Sequence, residues 1–195
     1  MKYIFFSLLC FFTDKTVFAK NVEGYVVLPN NDTLHVQVKI GSGFFFGIGA
    51  NNVYKKVETS DSSGHSILYT PADIKGYGYK DKKGLHHYRV KPIQDSGMAF
   101  LEVIIDGPRS GLYDYTRQIS GGYNSTFTEI FYTFEKKDGT VLFLKNVDKL
   151  ETLQNKLKAF YGDNAVMQEL IGNKFGGRKD IENDIEDIVR AYNKQ

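Results

Sequence analysis

Apolar and polar residues alternate through much of the first two-thirds of the chain. Leu34, Val36, Val38 and Ile40 are interleaved with Thr33, His35, Gln37 and Lys39, the period of two expected of a strand with one buried face. The run 22–28 precedes them across Pro29-Asn30-Asn31-Asp32. Proline presets the first turn dihedral and Asn and Asp tolerate the others, so the pair predicts a hairpin. Similar turns recur at Asp61-Ser62-Ser63-Gly64, between a run ending at Thr59 and Ser66-Ile67-Leu68-Tyr69, and at Asp81-Lys82-Lys83-Gly84, between runs 76–80 and 85–91. Residues 98–105 are apolar on both faces apart from Glu102, as in a central strand, and 112–117 follow after Asp106-Gly107-Pro108. Asp138-Gly139 is the strongest hairpin turn, joining 127–136 to 140–144.

After Lys145 the period becomes helical. Val147, Leu150, Leu153, Leu157 and Phe160 lie three or four apart, with Asp148 and Glu151 placed to cap the start. A short helix is predicted over 164–171. Ile181, Ile185, Ile188, Val189 and Tyr192 make one face of a last helix, with Glu182, Asp184, Glu186 and Asp187 mostly off it. Its acids gather near the start, and Arg190 and Lys194 lie at the end, as the helix dipole favours. The expected fold is α+β and mainly β. An antiparallel sheet or open barrel (strands about 22–145) carries two to three C-terminal helices, in one globular domain over 20–195, β-rich to 145 and helical from 146.

Residues 1–19 read as a signal peptide. Lys2 precedes an apolar run from Tyr3 to Phe12, and Val17-Phe18-Ala19 offers cleavage after Ala19. The run is too short to span a bilayer, which takes roughly 20 residues, and no later segment approaches that length. Lipoprotein anchoring through Cys10 is disfavoured because Leu9 stands where that processing wants a small residue. The expected location is therefore periplasmic or secreted. Cleavage would remove Cys10, the single cysteine, and with it disulfides, thiolate metal sites and cysteine nucleophiles. Of 25 basic and 23 acidic residues, Lys2, Lys15 and Asp14 would also go, leaving 23 and 22. That balance steers the protein toward neither nucleic acid nor membrane.

Several short runs together resemble a widespread family of exported bacterial proteins with no assigned activity. They are Gly24 and Asp32-Thr33-Leu34, then Tyr69-Thr70-Pro71, Asp73-Ile74, Gly76-Tyr77 and Phe100-Leu101-Glu102-Val103. Gly107, Leu112-Tyr113, Ile188-Val189 and Tyr192-Asn193 complete the set. Asn31 occupies a turn position where glycine is expected. The resemblance implies export and fold, and supplies no catalytic or binding residues. Asp32-Thr33-Leu34 also resembles an O-glycosylation signal used on exported proteins by some bacteria, with Thr33 as acceptor.

The candidate chemistry is sparse. Thr70-Pro71-Ala72-Asp73 reads as a single capped turn. His86 and His87 are adjacent in a strand, so they point to opposite faces and cannot share a metal ion. The glycine-rich stretch 41–49 lacks both dinucleotide and P-loop spacing. Glycines within a strand mark bulges or bends, but Phe44, Phe45 and Phe46 cannot all face one core, which makes them binding candidates. Lys80, Lys82, Lys83, His86, His87, Arg89 and Lys91 crowd one hairpin, and Lys82, Lys83 and Arg89 are candidates for an acidic ligand. Tyr88 is the sole aromatic among them, which argues against single-stranded nucleic acid. Glu102 and Glu129 are the carboxylates expected inside apolar strands, where burial would raise their pKa values as a general acid needs. No cofactor is implied. The expected function is a non-enzymatic binding or envelope-associated protein; the alternative is a hydrolase of envelope or extracellular glycan or peptide material working through strand carboxylates.

Overall fold

The computed structural model describes residues 20–40, 54–94, 97–120, 126–146, 148–162 and 164–195. Ten strands form one antiparallel sheet. They are β1 (Lys20–Val27), β2 (Thr33–Ile40), β3 (Val57–Ser60), β4 (Ser66–Tyr69), β5 (Gly76–Asp81), β6 (Gly84–Ile93), β7 (Gly97–Asp106), β8 (Ser110–Ser120), β9 (Thr126–Lys136) and β10 (Val141–Lys145). Their spatial order is β10-β9-β8-β7-β6-β5-β1-β2-β3-β4, so β4 and β10 are edges and the sheet stays open. Every neighbour but one is also a neighbour in sequence. The exception is β5, which returns from the β4 edge to pair with β1, Tyr77 opposite Val26.

Local chemistry sets the turns. Asn31 takes a φ of 72° between β1 and β2, a left-handed conformation that Asn tolerates nearly as well as the expected glycine. Thr70 and Asp73 form the expected capped turn ahead of β5. Asp73 Oδ2 accepts from the Thr70 backbone N–H at 2.8 Å and from its hydroxyl at 2.7 Å. Gly139, at φ 86°, closes the β9–β10 hairpin.

The helices are α1 (Leu150–Tyr161), α2 (Ala165–Gly172) and α3 (Ile181–Asn193). Among the described residues, no helix is long and apolar enough to cross a membrane. The α2 start is capped by Asn164, whose side chain accepts from Met167 N–H. The cap expected of Asp148 on α1 does not form. Lys149 stands at the N-cap with no side-chain bond, and Asp148 pairs with Lys156 at 3.1 Å instead.

Register defines two faces. Leu112 and Phe134 are opposite each other, as are Asp114 and Tyr132, and Tyr132 and Leu144. Leu112, Tyr132, Phe134 and Leu144 share one core with Leu153, Leu157, Met167, Ile171, Ile185 and Ile188 from the helices. All three helices therefore cover the β7–β10 end of this face. Further along, the same face carries Val26, Tyr77, Tyr79, Tyr88 and Phe100 in a second core. Tyr77 and Tyr88 stack there with centroids 4.6 Å apart. The opposite face carries Tyr25, His87, Arg89 and Lys91, and Tyr25 lies across the strand from Gly78. A Cβ at Gly78 would fall 2.6 Å from the Tyr25 ring, so only glycine lets the ring lie flat on the sheet.

Asp184 departs from the sequence expectation, because it is buried. Its Oδ2 accepts from the Phe175 backbone N–H at 2.7 Å, and Lys174 lies 3.3 Å from its other oxygen. Phe175 has a φ of 68°, and the carboxylate fixes that turn between α2 and α3.

Candidate ligand-binding cleft

The ladder between β7 and β8 runs from Asp106 and Gly111 to Glu102 and Asp114, with an irregularity between Val103 and Ile105, and goes no further. Beyond it, the start of β7 stays with β6 while the end of β8 stays with β9. Tyr54 fills the fork. Its carbonyl accepts from Phe100 N–H at 2.9 Å, and its hydroxyl accepts from Thr116 N–H at 3.1 Å. One residue thus satisfies a backbone donor on each side of the split, groups that would be costly to bury unpaired. Burial, then the nearby Asp114 charge, push the Tyr54 hydroxyl pKa up to about 12. It stays a neutral hydroxyl at any physiological pH.

A cleft of about 430 Å³ opens beside this wedge. Its lining includes Tyr54, Ala99, Tyr115, Phe131, Phe143 and Lys145. Tyr115, Phe131 and Lys145 are directly opposite one another on β8, β9 and β10, so they stand on one face, away from the helices. The rings form a graded series. Tyr54 meets Tyr115 edge-on at 4.5 Å, Tyr115 lies 5.5 Å from Phe131, and Lys145 Nζ sits 4.9 Å above the Phe131 ring. Tyr115, Phe131, Phe143 and Lys145 are only partly buried, so the cleft presents aromatic surface to solvent. Lys55, exposed, stands at its rim.

A smaller cavity of about 180 Å³ lies on the same face, lined by Arg89, Lys91, Tyr113, Glu135, Lys136 and Lys137 among others. Several of its cations are already matched. Lys91 pairs with Glu135 and Arg89 with Asp106, while Lys136 donates to the Phe160 carbonyl at 2.5 Å.

On the helix side, Tyr88, Glu102, Asp114 and Tyr132 follow one another across four strands. His86 Nδ1 lies 2.7 Å from Glu102 and Nε2 lies 3.1 Å from Asp81. Both nitrogens must donate to satisfy both carboxylates, which requires the imidazolium. Burial opposes that charge, but Glu102 and then Asp81 outweigh it and raise the His86 pKa. Burial, then the charges of Glu102 and Glu182, push the Asp114 carboxyl up to about 7. Its Oδ1 and the Tyr132 hydroxyl are buried without hydrogen-bond partners. Chemically this is a proton store beside an anchored carboxylate. Neither Glu102 nor Asp114 lines either cavity.

The residues singled out in the sequence are scattered by the fold. Phe44, Phe45, Phe46 and Ala19 lie outside the described residues. Lys82 and Lys83 are exposed in the β5–β6 turn, and Arg89 borders the smaller cavity. Glu102 and Glu129 do not converge. Glu102 shares the helix-side face with Tyr132, and Glu129, three residues before Tyr132 on β9, is buried on the opposite face. Glu102 neighbours Asp114 instead, which the sequence reading passed over along with Tyr54 and Lys145. His86 and His87 do point to opposite faces, His86 to Glu102 and His87 to the Tyr25 hydroxyl. Comparisons with protein-family models, curated proteins and solved structures find no match to this chain.

Proposed function

We propose that this is an exported, envelope-associated binding protein that holds a small ligand with a flat apolar body in the cleft beside Tyr54. The supporting observation is the convergence of Tyr54, Tyr115 and Phe131 on about 430 Å³ of open space. Small-molecule sites are commonly concave, largely aromatic and about 300–1,000 Å³ in size. The rings come from three separate parts of the chain, and hydrogen bonds to two strands fix Tyr54, so the site is formed before any ligand arrives. A hydrolase working through Glu102 and Asp114 would need substrate space beside them, and neither cavity reaches them. Export rests on the pattern of residues 1–19. Mass spectrometry of secreted material should place the N-terminus at or within a few residues of Lys20, and an acylated Cys10 would overturn that part.

Titration with N-phenyl-1-naphthylamine, a neutral aromatic probe, tests the cleft. Saturable fluorescence enhancement is expected, with affinity falling about tenfold in Phe131→Ala or Tyr115→Ala, the loss of one aromatic contact. Thermal melts confirm that each variant is folded. Absence of saturable binding, or binding indifferent to both substitutions, overturns the proposal.

A further inference from the structure

The charges around the cleft are lopsided. Among the described residues, Lys145 and Lys55 belong to its lining, and no carboxylate does. Among the described residues, the Lys145 ammonium has the Phe131 ring as its one contact, and neither lysine has a carboxylate at ion-pair distance. This differs from the smaller cavity on the same face, where Lys91 and Arg89 are neutralised by Glu135 and Asp106. Glu129, on the Phe131 face of β9, is buried and already engaged. A lysine over a ring keeps its ammonium protons available while its stem covers apolar surface. It can turn those protons to an incoming anion without breaking an ion pair. An anion approaching the aromatic floor therefore meets two cations with no competing counter-charge among the described residues.

Resting on the cleft reading above, we infer that the ligand is an anionic aromatic or similarly flat molecule. A single carboxylate, sulfonate or phosphate would be held by Lys145, with Lys55 adding charge at the rim, while the body lies against Phe131 and Tyr115. A volume of about 430 Å³ suits a small molecule, and the cation-over-ring geometry places the anionic group at the β10 side of the cleft.

Two fluorescent probes sharing one ring system separate charge from shape: neutral N-phenyl-1-naphthylamine and anionic 1-anilinonaphthalene-8-sulfonate. The anion should bind about tenfold more tightly, the scale of one charge-assisted contact. That preference should shrink as salt rises, and should collapse to about one in the double variant Lys145→Met, Lys55→Met. Phe131→Ala should weaken both probes, locating them in this cleft. Equal affinities in the unaltered protein, or a preference that survives the double lysine variant, overturn the anionic-ligand inference while leaving the cleft as a binding site. Binding of neither probe overturns the cleft reading itself. Sedimentation with phosphatidylglycerol vesicles gives a separate check. Lysine-dependent co-sedimentation would make the anion a lipid headgroup and overturn the assignment to a free small molecule.

Discussion

Glu102 and Asp114 stand directly opposite each other across β7 and β8, and only one of them has a cationic partner. His86 contacts Glu102, whereas Asp114 keeps a buried oxygen with no partner and holds its proton to about pH 7. A carboxylate can be tolerated beside a second one if the pair carries a single negative charge.

The first prediction follows from that proton. The Asp114 pKa is raised in the folded state, so its contribution to stability is fully present below the unfolded value near pH 4. It is lost progressively as pH rises toward about 7. The groups facing it are Glu102 from β7, Tyr132 from β9, Glu182 from α3 and the Tyr54 hydroxyl. Lowered carboxylates such as Glu58 and Asp187 act in the opposite sense, so the difference between two proteins is the useful quantity. Asp114→Asn should gain on the unaltered protein between pH 4 and 8, by at most about 4 kcal/mol. Urea melts across that range give the comparison, and a pH-independent difference would mean that Asp114 ionises normally.

His86 behaves in a complementary way. Its folded pKa is also raised, so the bridge from Asp81 to Glu102 stabilises the protein below about pH 6.5, the free imidazole value, and fades as pH rises through the folded value. His86→Asn should be destabilised relative to the unaltered protein at pH 5.5 and nearly equal to it at pH 9. Thermal melts at the two values suffice, and an equal loss at both would show a packing role alone.

The hairpins were legible because each is set by neighbours in sequence: alternation for the strands, Asn, Asp and Gly for the turns. The three helices were legible for the same reason. The β5–β1 pairing was not, since it joins strands separated by three others and no local residue names the partner. The cleft was hidden more thoroughly. Tyr54 follows a glycine-rich stretch, and nothing in its surroundings signals that it splits β7 from β8. Asp114 was concealed by its neighbours. With Tyr113 and Tyr115 on either side, alternation alone would turn the tyrosines inward and the carboxylate to solvent. Tyr113 is indeed buried, but the helices cover the opposite face as well, so the carboxylate is enclosed instead of solvated. Lys145 needed the cross-strand register with Phe131 before it could be placed over a ring.

The packing of α3 gives a third test. Ile185 and Ile188 are completely buried in the core where α3 packs on β7, β8 and α2, while Glu182 is exposed. Ile185→Ala and Ile188→Ala should each cost about 2–5 kcal/mol. Glu182→Ala should stay within about 0.5 kcal/mol at pH 5. Near-zero cost for both isoleucines would mean that α3 does not close this core.

The last prediction concerns two residues far apart in sequence, Gly107 and Asn193. Asn193 Oδ1 accepts from the backbone N–H groups of Arg109 and Ser110, each at 2.9 Å, and its amide donates to the Ser110 and Val189 carbonyls at 2.9 and 3.0 Å. One side chain therefore ties the β7–β8 turn to the end of α3. That turn must come close, and a Cβ at Gly107 would lie 2.2 Å from the Asn193 amide carbon. Glycine is required here for contact rather than for backbone conformation. Asn193→Ala strands backbone groups beside a buried serine and should cost about 1–3 kcal/mol. Gly107→Ala should cost a similar amount by overpacking. The two losses should not add, because removing the Asn193 amide also removes the atoms that an alanine at 107 would strike. A double-mutant cycle from urea melts should show the pair less destabilised than the sum by about 0.5–3 kcal/mol, the range for residues in contact. Strict additivity would mean that the turn and the helix end do not meet in solution, and that α3 is anchored by its isoleucines alone.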